Sequence, residues 1–454
     1  MAESSTRIKA DIRGENNDAI KRFFQFEEEQ TTYRREIIGG LTTFLAMAYI
    51  MFVNPTILGA TGMDESALFT ATALSAIVGC LLMAFVARYP VAIAPSMGLN
   101  AFFAYSVVLG MGVPWETALV GVLLSGIIFV FITVLKLREM ILDAIPKDLK
   151  MASACGIGLF IAFIGLKDSG VVVANDATLV TLGNLTTPGT MLTLFGLVAS
   201  IVFMLRQMPG AIFFGMILTS VIGIVTGFIP TPDTIISAIP SVEPLFGVAI
   251  THLFAAPEEV FTLNLLVVVL TFLFVEFFDT AGTLMAVATK AGLMKDNKMK
   301  RAGPALLADS SSVVAASVIG TSPTTSFIES TAGVASGART GFAALVTAIL
   351  FGFALFFSPL LHVVTANVTA PALIIVGVLM VSSLDEINWK QFEIAVPAFL
   401  MMITMPLTYS IANGIALGLV LYPVTMVVQG RARELHPILY ALFVIFLLYF
   451  AFLT

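Results

Sequence analysis

The sequence predicts an all-α polytopic membrane protein of two inverted halves, about seven spans each. A short strand plus half-helix replaces a clean helix in spans three and ten. Three observations lead there: composition, the alternation of basic loops, and internal similarity at half the chain length. Of 454 residues, 58% are hydrophobic and only 11% are charged, with a mean hydropathy of +0.99. Soluble domains average about 45–50% apolar and about 25% charged residues. The apolar excess is too large for a soluble core.

The elements follow from the apolar runs, counted at about 20 residues per crossing. They fall at 37–58, 66–87, 91–110, 115–136, 150–167, 188–205, 210–229, 262–289, 305–320, 324–338, 341–361, 369–382, 392–405, 408–428 and 436–453. The last run either crosses the membrane or lies along it. Residues 1–36 are polar, with no apolar core of a cleavable signal peptide. Basic residues orient the spans. With the N-terminus and Arg34–Arg35 in the cytoplasm, Arg88, Lys136–Lys150, Arg206, Lys290–Arg301, Arg339, Lys390 and Arg431–Arg433 all fall on that side. The opposite loops, 59–65, 111–116, 168–187, 230–261 and 362–368, carry no Lys or Arg.

The two halves are related. "TALVGVLLSG" from Thr117 and "AALVTAILFG" from Ala343 share Ala, Leu, Val, Leu and Gly at an offset of 226 residues, and Asn54 and Asp279 lie 225 apart. An odd number of spans per half turns the second half upside down, the inverted repeat usual in secondary transporters. Spans three and ten interrupt this pattern. The third carries Pro90, Pro95, Gly98 and Asn100; the tenth carries Gly320, Pro323, Gly333 and Gly337 among Ser and Thr. Proline removes an N–H and clashes with the preceding turn. Val91–Ala94 and Ser317–Thr321 are therefore expected to be extended, each leading to a half-helix. Such backbone is tolerated at membrane depth only inside protein or beside a wet cavity. Paired interruptions in corresponding spans point to the binding site.

Ionisable residues within the spans are Glu276, Asp279, Asp309, Glu329 and, near an end, Arg339. A carboxylate at membrane depth costs about 2.5–3.5 kcal/mol or more on insertion scales. If spans eight and ten pack together, Asp279 and Glu329 converge on one ligand. Ionised carboxylates only accept hydrogen bonds, so the ligand would be rich in N–H donors. Asp309, beside Ser310, Ser311 and Ser312, is either a proton partner or a locally bonded helix-end acid. Glu276 lies one turn before Asp279 and either faces the cavity or is satisfied by a neighbouring span. Phe102, Phe103 and Phe327 flank the broken helices, where aromatic faces would stack on a planar ligand.

Other classes lack support. The net charge of −6 argues against a nucleic-acid partner, and no GxxxxGK[ST] or HExxH motif is present. Cys80 and Cys155 lie in apolar runs and read as packing residues. The three histidines are scattered, so neither a metal nor a cofactor is expected.

The motifs "AMAYIMFVNPTIL" from Ala46, "APSMGLNAFFAYSV" from Ala94, "FFDTAGTL" from Phe277 and "ADSSSVVAASVIGTSPTTSFIESTAGVASGARTG" from Ala308 resemble the AzgA-like purine permeases of the nucleobase/ascorbate transporter superfamily. The resemblance covers essentially the whole chain. It implies a uracil-permease-like fold with a core domain (37–136 and 262–361) and a gate domain (137–229 and 362–428). Segments 1–36, 230–261 and 429–454 would be a cytoplasmic start, an extracytoplasmic loop and a C-terminal segment with an extra apolar helix. It implies that Asp279 and Glu329 hydrogen-bond a nucleobase, with Gly98, Asn100, Phe102, Phe103, Thr280, Thr325, Ser326 and Phe327 completing the site. Asn54, Glu276 and Asp309 would support it or couple protons. Relatives often carry His where this chain has Thr283, which argues against a His-based proton relay. The expected function is import of adenine, guanine or hypoxanthine across the plasma membrane by proton symport, with a homodimer as a further family expectation. The alternative is a carrier of small anions on the same fold.

Overall fold

A computed structural model of the chain describes residues 18–135, 146–260, 262–295 and 298–452. The start of the polar N-terminal segment and most of the basic stretch 136–150 lie outside the described residues. The first expected span forms as α1 (Tyr33–Met47) and α2 (Ile50–Gly59), and the second as α3 (Glu65–Leu82), extended by a wide π-turn over Met83–Ala87. Next come β1 (Ile93–Pro95), α4 (Met97–Ala101) with its continuation Phe102–Gly110, α5 (Trp115–Val134) and α6 (Lys147–Asp168). A hairpin, β2 (Val172–Asn175) and β3 (Leu179–Leu182), leads to α7 (Pro188–Leu205) and α8 (Ala211–Val225).

The second half opens with α9 (Leu263–Ala291), a minimal hairpin of β4 (Met294–Lys295) and β5 (Lys298–Met299), and α10 (Ala302–Ile319). It continues through β6 (Thr324–Ser326), α11 (Ser330–Ala335), α12 (Gly341–Ala354), α13 (Ala366–Val381), α14 (Phe392–Thr408), α15 (Ile411–Val428) and α16 (Pro437–Phe452). Nine helices among the described residues are long and apolar enough to cross a membrane, and five more apolar helices are shorter.

The halves pack in matched pairs. Helix α12 lies on α1, and its counterpart pairing sets α5 against α9; α3 packs on α10, and α6 on α13. At the centre β1 and β6 pair antiparallel, Ile93 opposite Ser326 and Pro95 opposite Thr324. Antiparallel pairing of equivalent segments is what a two-fold axis in the membrane plane produces. Helices α6, α7, α8, α13, α14 and α15 pack chiefly among themselves, as do α1–α3, α5, α9, α10 and α12.

One expectation about the second interruption needs correction. Ser317–Thr321 is not extended; α10 runs through Ser317 to Ile319, and the extended segment begins at Thr324. Ser317 stays in the helix, with its buried hydroxyl satisfied by the carbonyl of Val314 at 2.7 Å. The helix ends instead at Gly320, whose φ of +100° and close approach to Leu245 leave no room for a Cβ.

The sequence reading overlooked a further buried acid. Glu36, fully enclosed in α1, accepts the hydroxyl of Thr31 (2.7 Å) and the N–H groups of Arg339 (2.9 Å), Thr340 (3.3 Å) and Ala343 (3.2 Å). It therefore caps the start of α12 from another helix, where the N–H groups lack partners and the dipole favours negative charge. The other half has a related clasp. Glu259, just before α9, accepts the hydroxyl of Thr117 in the first turn of α5 at 2.9 Å. Each half thus brings an acid near its first long helix to the start of the other half's fourth. Glu36→Ala strands the N–H groups of Arg339 and Thr340, while that of Ala343 keeps the carbonyl of Thr340, and is expected to cost on the order of 3 kcal/mol. The check is the unfolding temperature of the detergent-solubilised chain: it falls for Glu36→Ala and stays level for the exposed Glu28→Ala.

Candidate functional site

The crossing strands create the site because their own backbone must be satisfied inside the protein. An unpaired peptide group in an apolar setting costs about 2–7 kcal/mol. Beyond the strand ladder, Ser96 N–H donates to Pro323 C=O and Phe327 N–H to Ala92 C=O, both at 2.9 Å. Ala92 N–H donates to Ser330 Oγ at 3.0 Å. Ile93 N–H reaches the sulfur of Cys80, whose thiol in turn donates to Ile93 C=O, both at 3.4 Å. Cys80 thus anchors the strand besides filling space, and both cysteines are free and buried. Pro90, Pro95 and Pro323 subtract three donors from these unwound stretches.

Each strand feeds a half-helix, α4 after Ser96 and α11 after Glu329, neither capped by its own side chain. A cleft lies beside these starts. Tyr49, Ser96, Gly98, Asp279, Thr283, Thr325, Ser326, Phe327 and Glu329 line it, and Val376 and Met380 border it from α13. Asp279 Oδ2 accepts the hydroxyls of Ser96 (3.2 Å) and Thr325 (3.1 Å), one from each interrupted span. Glu329 Oε1 accepts the hydroxyl of Tyr49 at 2.8 Å. Among the described residues no other residue donates a hydrogen bond to Asp279 Oδ1 or Glu329 Oε2. Two acceptor oxygens are therefore available to one ligand.

The other predicted residues divide by location. Gly98, Thr325, Ser326 and Phe327 border the cleft with the two acids. Asn100, Phe102, Phe103 and Thr280 are fully buried and lie outside its lining. Asn100 donates to Asn54 Oδ1 at 3.0 Å, and Phe102 stacks edge-on against Phe272 at 5.1 Å. Thr280 donates to Asp309 Oδ2 at 2.7 Å, while Asp309 Oδ1 accepts Ser326 N–H (3.1 Å) and Ser326 Oγ (2.8 Å). Asp309 therefore binds β6 to α9. Asn54 donates to Thr72 (2.8 Å) and Thr321 (3.0 Å), and its Oδ1 also accepts Ser322 at 3.3 Å. Glu276 is fully buried one turn before Asp279 and is not part of the lining.

Sequence reasoning left several of the lining residues out of the site, among them Tyr49, Ser96, Met97, Val376 and Met380. Tyr49 stood out only as the polar ring within "AMAYIMFVNP", and Ser96 as the hydroxyl ahead of a half-helix. Val376 and Met380 give no sequence signal, since apolar residues in an apolar span look alike. Away from the cleft, a second cluster joins α4's continuation to α6 and α14. Tyr105 donates to Asp168 Oδ2 (3.2 Å), the rings of Tyr105 and Phe160 meet Tyr409 at 5.5 and 5.4 Å, and Lys167 Nζ lies 3.5 Å from the Tyr409 hydroxyl.

Residues 34–417 match a family model described as "Permease family". The chain is 59% identical to the guanine/hypoxanthine permease PbuG of Bacillus subtilis, covering 96% of this chain and all of that protein. It is 47% identical to the guanine/hypoxanthine permease PbuO of the same organism, over 93% of this chain and 98% of that one. It is 42% identical to the adenine permease AdeP of Escherichia coli, over 96% of each. Among solved structures, the transmembrane domain of the cyanobacterial bicarbonate transporter BicA shares the fold, with a TM-score of 0.58 and 16% identity over 86% of this chain and 97% of that one. SLC26A9 does so with a TM-score of 0.59 and 12% identity over 94% of this chain and 70% of that one. The expected inverted-repeat architecture is the fold of these carriers. The chain is a membrane permease rather than an enzyme, and it belongs to this permease family, in the purine-permease branch that its motifs resemble.

Proposed function

We propose that the protein imports purine nucleobases (guanine, hypoxanthine or adenine) by proton symport across the plasma membrane, with its N-terminus in the cytoplasm. The observation that carries the reading is the pair of carboxylates, Asp279 and Glu329, facing one cleft at the strand crossing. Purine rings present N–H donors in a plane, and two fixed acceptors with Phe327 beside them suit that pattern. The names of the relatives support the same substrate class. A buried acid that gains and loses a proton as the base arrives would couple the two fluxes.

The two groups of helices that pack among themselves are read here as core and gate. Spans one to four and eight to eleven would be the core that carries the base; spans five to seven and twelve to fourteen would be the gate. Val376 and Met380 are then the gate's contribution to the cleft. The Tyr105–Asp168–Tyr409 cluster would then join core and gate away from the cleft. The rival reading, a small-anion carrier, draws on the solved structures of this fold, but fold alone does not fix substrate. Two carboxylates at the site would repel an anion.

Asp279→Asn and Glu329→Gln are each expected to lower uptake of radiolabelled hypoxanthine by about a hundredfold or more, since a buried charged partner is worth about 2–5 kcal/mol. Both variants should still reach the membrane; near-normal uptake in either would sink the reading. Asp309→Ala behaves differently, because it releases β6: the unfolding temperature falls along with uptake. In a thermal-shift screen, guanine, hypoxanthine or adenine should stabilise the purified protein, whereas sulfate and bicarbonate should not. For the coupling ion, a protonophore should collapse accumulation in cells, and replacing Na⁺ by K⁺ should leave it intact.

A further inference from the structure

We propose that Tyr49 is a positioning residue of the transport cleft: its hydroxyl holds the Glu329 carboxylate so that Oε2 faces the ligand. The inference rests on the nucleobase reading and goes beyond it, by naming what sets the geometry of one of the two acids.

The two acids are secured unequally. Asp279 has two hydroxyl donors, Ser96 and Thr325, so losing one leaves the other. Among the described residues, Tyr49 is the only other residue that donates a hydrogen bond to the Glu329 side chain, beside Glu329's own backbone N–H. Glutamate is also the longer side chain, with one more rotatable bond to fix than aspartate. A carboxylate aimed by one neighbour depends on where that neighbour is fixed.

Tyr49 is fixed firmly. It is fully buried at the break between α1 and α2. The backbone there tightens: Met51 N–H bonds Ala48 C=O at 3.2 Å and Phe52 N–H bonds Tyr49 C=O at 3.1 Å, both three residues back. Pro55 follows and has no N–H to offer the carbonyl of Met51. A short tight turn inside a helix often marks a functional point. The same helix α2 carries Asn54, which donates to Thr321 and accepts from Ser322. Helix α2 and the residue that precedes it therefore hold the tenth span on both sides of β6: Asn54 before the strand and Tyr49 after it. The hydroxyl and the carboxylate belong to one frame.

The test is radiolabelled hypoxanthine counterflow by the purified full-length chain in proteoliposomes, which needs no coupling gradient. Tyr49→Phe keeps the ring and removes one oxygen. KM is expected to rise about tenfold or more, the scale of a hydrogen bond to a charged group. The maximal rate should fall less than threefold, and the ligand-free unfolding temperature should stay within two degrees, both on the order expected if packing is preserved. Ser96→Ala and Thr325→Ala, each removing one of two donors to Asp279, should raise KM less than Tyr49→Phe does. The inference is overturned if KM for Tyr49→Phe stays within about twofold of the parent, or if it rises only together with a loss of thermal stability. It is also overturned if Ser96→Ala or Thr325→Ala raises KM as much. Parent vesicles that exchange no hypoxanthine, guanine or adenine would instead overturn the nucleobase reading, and this inference with it.

Discussion

The structure depends on one constraint: unwound backbone at the middle of a membrane protein must find its hydrogen bonds inside the protein. Spans three and ten meet it by pairing with each other, Ile93 opposite Ser326. Three prolines reduce the donors to be satisfied, and Cys80 and Ser330 take part of the remainder. Once the strands are paired, the starts of both half-helices lie at membrane depth beside the same cleft. That placement gives polar side chains access to a ligand where lipid would otherwise exclude them. The surrounding helices, in matched pairs from the two halves, hold the crossing in place.

The buried acids show how similar residues take different parts. Asp309 accepts from Thr280 and from two groups of Ser326, so it secures the strand rather than a ligand. Glu36 caps a helix of the opposite half. Asp279 and Glu329 each keep one oxygen for the cleft. Burial makes all these positions costly in the same way; the available donors decide which carboxylates are spent on structure. Asn54 illustrates the same economy among neutral groups, since its amide joins the first, second, third and tenth spans.

The repeat is symmetric in backbone and asymmetric in chemistry. Both halves supply a strand and a half-helix, and each reaches across to the other's fourth helix with an acid. Yet both cleft acids come from the second half, while the first supplies hydroxyls and close-packing groups: Tyr49, Ser96 and Gly98. An inverted pair of scaffolds is what two-sided access requires. A single ligand requires that the two scaffolds not present the same groups.

By itself the sequence determined the membrane class, the order of spans, the two interrupted segments and the acids worth watching. Those features follow from local chemistry: hydropathy over about 20 residues, proline in a span, a carboxylate in an apolar run. It also pointed to Asp279 and Glu329 together, because both stand in spans that the repeat brings to the centre. Only the tertiary structure decided which polar groups face the cleft and which are spent on the scaffold. Asn100, Phe102, Phe103 and Thr280 sit beside the right motifs yet point into packing, whereas Tyr49, from the first span, reaches a carboxylate 280 positions later. The extended segment fell at Thr324–Ser326 rather than earlier, because the helix runs on to Ile319 and Gly320 supplies its end. Side-chain direction and long-range pairing are not carried by residue type or spacing. They are fixed by which helices touch, and that is a property of the assembled fold.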